Sequence, residues 1–155
     1  MYLLVYKFGG SSVADAAGLR RAAEQLAAAA AAGHHIIAVV SAQGKTTDRL
    51  LQSTAELTPH PSCRETDQLL ATGEQASAAL LAITLQEMGL PAVSLTGSQA
   101  GIHTDGNYGA AEITALHRRR ILRELEAGNI VVTAGFQGID RRGDTTTLGR
   151  GGSDT

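Results

Sequence analysis

Short apolar runs alternate with helix-patterned stretches along the chain, and this alternation restricts the fold more than any other feature. Residues 2–8, 36–40, 91–96 and 129–134 read as strands. The first helical pattern follows Gly9-Gly10, with Ser12 and Asp15 spaced as a capping box. It is rich in alanine, runs to about Ala32 and stops at Gly33. Its apolar face takes Leu19, Ala22, Ala23, Leu26 and Ala30. A short helix is expected from Thr47 to Leu57, capped by Thr46 or Thr47 and ended by Pro59 and Pro61. A second capping box, Ser62 with Glu65, opens a long helix to Met88 that Gly73 interrupts. Residues 97–114 are polar with weak strand signals, Ile113 to Ala127 reads as helix, and a loop and hairpin follow Gly135. Strands alternating with helices imply an α/β protein with a largely parallel sheet. Ligands of such sheets bind beyond the carboxyl ends of the strands. That rule gathers Lys7–Ser12, Ser41–Thr47, Thr96–Gly101 and Gly135–Gly138 at one edge.

Composition narrows the function. The 155 residues suffice for one domain, and 43% hydrophobic with 18% charged residues indicates a globular chain. A net charge of −2 offers no basic excess for a phosphate backbone, so nucleic acid is not an expected partner. Arg118-Arg119-Arg120 lies among Glu112, Glu124 and Glu126 and reads as a solvated helix face. Cys63 is the sole cysteine, so no intrachain disulfide forms, which is compatible with the cytosol. No apolar run reaches membrane-spanning length and the start shows no signal-peptide pattern, so no membrane partner is expected. The five histidines lack metal-ligand spacing, and no protein zinc site is expected.

Four segments carry chemistry. Lys7-Phe8-Gly9-Gly10-Ser11-Ser12 joins a strand to a helix, as either a polyphosphate cradle or a tight turn with a lysine at its rim. Gly44-Lys45-Thr46 mimics the end of a P-loop, but Val39 occupies the position where that motif needs its first glycine. Glu74 follows Gly73 among small apolar residues. Local sequence reads it as an exposed helix residue; buried, it would need a partner such as a substrate ammonium. The run Thr145 to Thr155 places Gly149, Gly151 and Gly152 around Arg150, followed by Ser153 and Asp154. Glycines let N–H groups crowd an anion, and arginine forks a carboxylate or phosphate.

The ordered set of these strings resembles the aspartate kinases of the amino acid kinase family. It comprises Lys7–Asp15, Val40-Ser41-Ala42 with Thr46-Thr47-Asp48, Thr72-Gly73-Glu74, Leu95–Gly101, Ala134–Gly138 and Thr147–Thr155. The resemblance covers nearly the whole chain. It implies a three-layer α/β/α sandwich with a mostly parallel sheet, the carbamate kinase-like fold, present only in its amino-terminal, aspartate-binding part. On this reading residues 1–155 lack the nucleotide-binding half and the regulatory ACT domains. The implied reaction transfers a phosphoryl group from MgATP to the β-carboxylate of L-aspartate, giving 4-phospho-L-aspartate for lysine, threonine, methionine and isoleucine synthesis in the cytoplasm. By similarity Lys7 stabilises the transferring phosphoryl group and Asp154 organises Lys7. Lys7, Phe8, Gly9 and Gly10 hold the ATP phosphates. Ser41, Thr47, Glu74, Phe136, Arg150, Gly151, Gly152 and Ser153 hold aspartate. Magnesium travels on ATP, with no protein ligand named. The full-length family member is expected to be a homo-oligomer, and the isolated chain weak or inactive. Two alternatives stand beside this: a noncatalytic aspartate-binding or subunit-interaction module, and an amino acid kinase with another acidic substrate.

Overall fold

A computed structural model describes residues 1–149, and Arg150 to Thr155 lie outside the described residues. The chain begins with β1 (Leu3–Phe8), α1 (Ala16–Ala31), β2 (His35–Val40), α2 (Thr46–Leu57), α3 (Cys63–Glu87) and β3 (Ala92–Leu95). Then come β4 (Ile102–Thr104), β5 (Ile113–Leu116), α4 (Arg119–Glu126), β6 (Ile130–Ala134), β7 (Gln137–Ile139) and β8 (Thr145–Thr147).

Two sheets result. The first has the order β1-β2-β6-β3, and every pairing in it is parallel. The second, β5-β4-β7-β8, is mixed: β4 pairs with β7 in parallel, and the β4–β5 and β7–β8 pairs are antiparallel. In the first sheet Phe8 stands opposite Val40, and Val40 opposite Ala134, so three strands end at one level.

Alternation along the strands explains the layers. Phe8, Ile36, Ala38, Val40, Ile130, Val132 and Ala134 face one side, where they form a core with Leu19, Ala23 and Leu26 of α1 and with Ala78, Leu81, Ala82 and Leu85 of α3. Each fully buried leucine there contributes about 1.5–3 kcal/mol. Val131 and Leu95 face the other side and meet Ile121 and Leu125 of α4. Helices therefore cover both faces, and the α/β/α layering expected from sequence holds.

Some local expectations are corrected. Asp15, not Ser12, caps α1: its carboxylate accepts from the Gly18 N–H at 2.7 Å. The Ser12 N–H is committed to a turn, donating to the Gly9 carbonyl at 3.0 Å. Lys45 holds the N-cap position of α2, and Thr46 and Thr47 are its first two helical residues. Ser62 does sit at the N-cap of α3, but its side chain makes no capping bond, and Glu65 turns to Arg64 instead. Gly73 does not interrupt α3, which is continuous over 25 residues. Ile113–Leu116 is a strand rather than the start of a helix, because pairing with β4 overrides its local helical pattern.

Candidate active site

Four pieces of chain meet beyond the ends of β1, β2 and β6. The Ser41 N–H donates to the Phe8 carbonyl at 3.0 Å, and the Gly135 N–H to the Val40 carbonyl at 2.9 Å. The Gly44 N–H donates to the Gly10 carbonyl at 3.0 Å. These bonds place the Gly9-Gly10 turn, the 41–45 loop and the β6–β7 corner side by side. Gly10 is needed for that packing, since a Cβ there would lie 2.5 Å from the Ala42 carbonyl oxygen. Gly9 has open space where a Cβ would stand, with nothing within 4 Å. A strand end with two glycines, one packed and one open, suits an anionic group such as a phosphate.

Helix α3 supplies the fourth piece. Gly73 lets it approach the 41–45 loop, for a Cβ at Gly73 would lie 2.9 Å from the Ala42 Cβ. The next residue, Glu74, is buried, only 3% exposed. Its Oε1 accepts from the Ala42 N–H at 3.2 Å, and its Oε2 has no hydrogen-bond partner among the described residues. Burial pushes its carboxyl up to about 7, against the Ala42 N–H, which pulls it down. A buried carboxylate with one committed and one uncommitted oxygen is suited to an incoming cation.

The other residues singled out from sequence distribute as follows. Lys7, exposed near the end of β1, lines a cavity of about 420 Å³ with Phe8, Ser12, Arg21 and Gln25. Ser41 and Thr47 are half-buried, at the start of the 41–45 loop and in the first turn of α2. Phe136 follows Gly135 with φ +65, a left-handed conformation rare for an aromatic residue and costing about 1–3 kcal/mol. It lines a separate, apolar cavity of about 480 Å³ with Ile37, Val39, Thr133 and Leu148. Arg150, Gly151, Gly152, Ser153 and Asp154 lie outside the described residues.

Asp67 and Gln137 are buried polar residues beside this site that had no assigned role from sequence. Asp67, 2% exposed on α3, accepts from the Gly109 N–H at 3.0 Å, the Thr147 N–H at 2.8 Å and the Thr147 hydroxyl at 2.8 Å. It thus pins β8, the strand leading toward Arg150, to the helix that carries Glu74. Gln137 on β7 is equally buried and bonded to α3. The signal for Asp67 and Glu74 was phase: they share one buried stripe with Leu70, Ala71, Ser77, Ala78, Leu81, Ala82 and Leu85. Gln137 lies within the Gly135–Gly138 segment placed at the ligand edge, but no periodicity marks it as buried.

The comparisons with known proteins bear on this geometry. The family model for the amino acid kinase family matches residues 3–155. The chain belongs to the amino acid kinase family. Among amino acid kinases it is 50% identical, over all 155 residues, to an aspartokinase of Geobacillus stearothermophilus, and spans 38% of that protein's length. It is 49% identical to an aspartokinase of Mycolicibacterium smegmatis, spanning 37% of its length. Among solved structures, the aspartate kinase from Synechocystis matches 99% of this chain with a TM-score of 0.81 at 42% identity, 25% of that chain being covered. E. coli aspartokinase III, solved with aspartate and ADP in its R-state, matches 99% of this chain with a TM-score of 0.82 at 27% identity, 45% of that chain being covered. No helix among the described residues of this amino acid kinase is long and apolar enough to cross a membrane.

Proposed function

We propose that this chain is the amino-terminal, aspartate-binding part of an aspartate kinase. The observation that carries the reading is Glu74: a buried carboxylate with one oxygen unpartnered among the described residues, held by the loop that joins β2 to α2. An α-ammonium is a fitting partner for that oxygen. The kinship with aspartokinases of near 50% identity supports the choice of substrate. The reaction proposed is transfer of the γ-phosphoryl group of ATP to the β-carboxylate of L-aspartate, which yields 4-phospho-L-aspartate and ADP.

The nucleophile is already a carboxylate, so no strong general base is needed. The work lies in bringing two anions together and neutralising the charge that develops on the transferred group. Lys7 serves that charge, oriented by Asp154. The backbone of Phe8, Gly9 and Gly10 holds the ATP phosphates, with magnesium carried on them. Ser41, Thr47, Phe136, Arg150, Gly151, Gly152 and Ser153 complete the aspartate site around Glu74, with Arg150 on a substrate carboxylate. The contacts to adenine and ribose, and regulatory ACT domains, are assigned to the part of the relatives' length this chain does not span. For the chain alone we predict weak or no turnover. The working setting proposed is the cytoplasmic synthesis of lysine, threonine, methionine and isoleucine, by a homo-oligomer of the full-length protein.

Calorimetry at pH 8 tests the reading. L-Aspartate should bind the chain, and Glu74→Gln should weaken it more than tenfold. Absence of aspartate binding sinks the proposal, and tighter binding of another acidic amino acid would change the substrate. Robust aspartate-dependent ATP consumption by the isolated chain would refute the prediction of weak turnover.

A further inference from the structure

Gln137 is one of the largest fully buried side chains of the described residues, yet it is polar. A carboxamide offers two donor hydrogens and two acceptor lone pairs. Here the Nε2 group donates to the Ala71 carbonyl at 3.0 Å and the Gly135 carbonyl at 3.4 Å. The Oε1 atom accepts from the Gln75 Nε2 at 3.1 Å and the Gly97 N–H at 3.4 Å. The full capacity of one buried amide therefore ties three segments together: α3, the β6–β7 corner and the loop after β3.

The two helix contacts flank Glu74. Ala71 lies one turn before it and Gln75 immediately after it. The corner contact is equally close to Phe136, whose φ of +65 must be held by its surroundings. The Leu148 N–H holds the carbonyl of Phe136 at 2.9 Å, and Gln137 anchors the residues on either side of it. An apolar side chain could fill the same volume, but only directed bonds fix the spacing between the two segments.

We propose that Gln137 is a positioning residue. Its carboxamide sets the distance between the α3 turn bearing Glu74 and the corner bearing Phe136, and so the length of acidic amino acid the site accepts. The proposal rests on the reading of Glu74 as the ammonium subsite and of the corner bearing Phe136 as part of the aspartate site. Aspartate and glutamate differ by one methylene, and a rigid pocket separates such pairs by about 10- to 200-fold. A site whose two walls are no longer tied should discriminate less.

The test measures L-aspartate and L-glutamate binding by calorimetry for the 155-residue chain and its Gln137→Leu, Gln75→Leu and Leu85→Ala variants. Gln137→Leu should weaken aspartate binding about tenfold and narrow the aspartate-to-glutamate ratio by a similar factor. Gln75→Leu removes one bond from a part-buried partner and should do the same by about threefold, and it carries the test if Gln137→Leu does not fold. Leu85→Ala, at the far end of α3, should lower the melting temperature and leave the ratio unchanged. An unchanged ratio in the glutamine variants, or an equal loss in Leu85→Ala, overturns the proposal. If the parent chain binds neither amino acid, the aspartate reading falls. Positioning is then decided by NMR: Gln variants must shift the Glu74 carboxyl and Phe136 ring resonances, and unmoved resonances reject it.

Discussion

The two halves of α3 continue one buried stripe but bury opposite kinds of side chain. Toward the C-terminal end the stripe is Ala78, Leu81, Ala82 and Leu85, packed into the core beneath the parallel sheet. Toward the N-terminal end it is Asp67, Leu70, Ala71, Glu74 and Ser77. There Asp67 is fully engaged, whereas Glu74 Oε2 and Ser77 Oγ have no partner among the described residues. One half stabilises the fold; the other holds costly groups in place. Because the helix is unbroken through Gly73, the rigid half fixes where the polar half presents its carboxylate.

The largest expected effect lies in the apolar half. Leu81→Ala should cost about 2–5 kcal/mol in denaturant unfolding. A loss below about 1 kcal/mol would break the contrast, since it would mean that the fold does not depend on that half. Asp67→Ala should cost about 1–3 kcal/mol, because the Gly109 and Thr147 N–H groups and the Thr147 hydroxyl all lose their partner. It should also speed amide exchange at Thr147, which mass spectrometry reads directly.

Glu74→Gln sharpens the contrast, because its sign is reversed. The Glu74 carboxyl lies at about 7 in the folded chain against an ordinary 4.5, so between those values the folded state holds a proton that the unfolded state has released. The stability linked to that proton is complete below about 4.5 and is lost as pH rises through about 7. The ligand-free chain should therefore lose up to about 3 kcal/mol between pH 5 and pH 8. Glu74→Gln should flatten that slope and raise stability at pH 8 while losing aspartate binding. A parallel loss of both properties would show that Glu74 serves the fold. Aspartate affinity of the parent chain should rise over the same interval, as the carboxylate an ammonium needs becomes available. The smallest effect is expected for Gly73→Ala. The alanine gains about 1 kcal/mol of helix propensity, and the crowded Ala42 contact offsets it. Melting should move little, and aspartate binding should weaken a few-fold as the 41–45 loop is pushed from Glu74.

The parallel sheet was legible in the sequence because each of its strands is an apolar run bordered by a helix-period stretch, after β1 and β2 and before β3 and β6. The α1 face was legible for the same reason, and Leu19, Ala22, Ala23 and Leu26 are buried as read. The second sheet was legible only as a hairpin after Gly135 and weak strand signals over 97–114, because β4, β7 and β8 are three residues each and acquire their conformation from pairing. Ile113 to Leu116 shows the same override from the other direction: a helical pattern becomes an edge strand beside β4. At the site, the glycines were readable as close approaches, but their neighbours were not. Glu74 looks exposed beside its immediate neighbours, and its burial follows from its phase on the α3 stripe together with the 41–45 loop that Gly73 admits. Gln137 engages residues as far as 66 positions away, beyond any periodicity.

The order β1-β2-β6-β3 also sets a schedule for assembly. β2 and β3 never touch through hydrogen bonds; each keeps an open edge until β6 slides between them. That central strand begins at Ile130, so a ribosome must release more than four-fifths of these 155 residues before the sheet can close. Until then the nascent chain exposes two apolar strand edges, a form prone to mispairing with other chains. The last strand to join the parallel sheet is thus the one on which its integrity depends, and slow closure of long-range parallel pairs makes its arrival the expected bottleneck of folding.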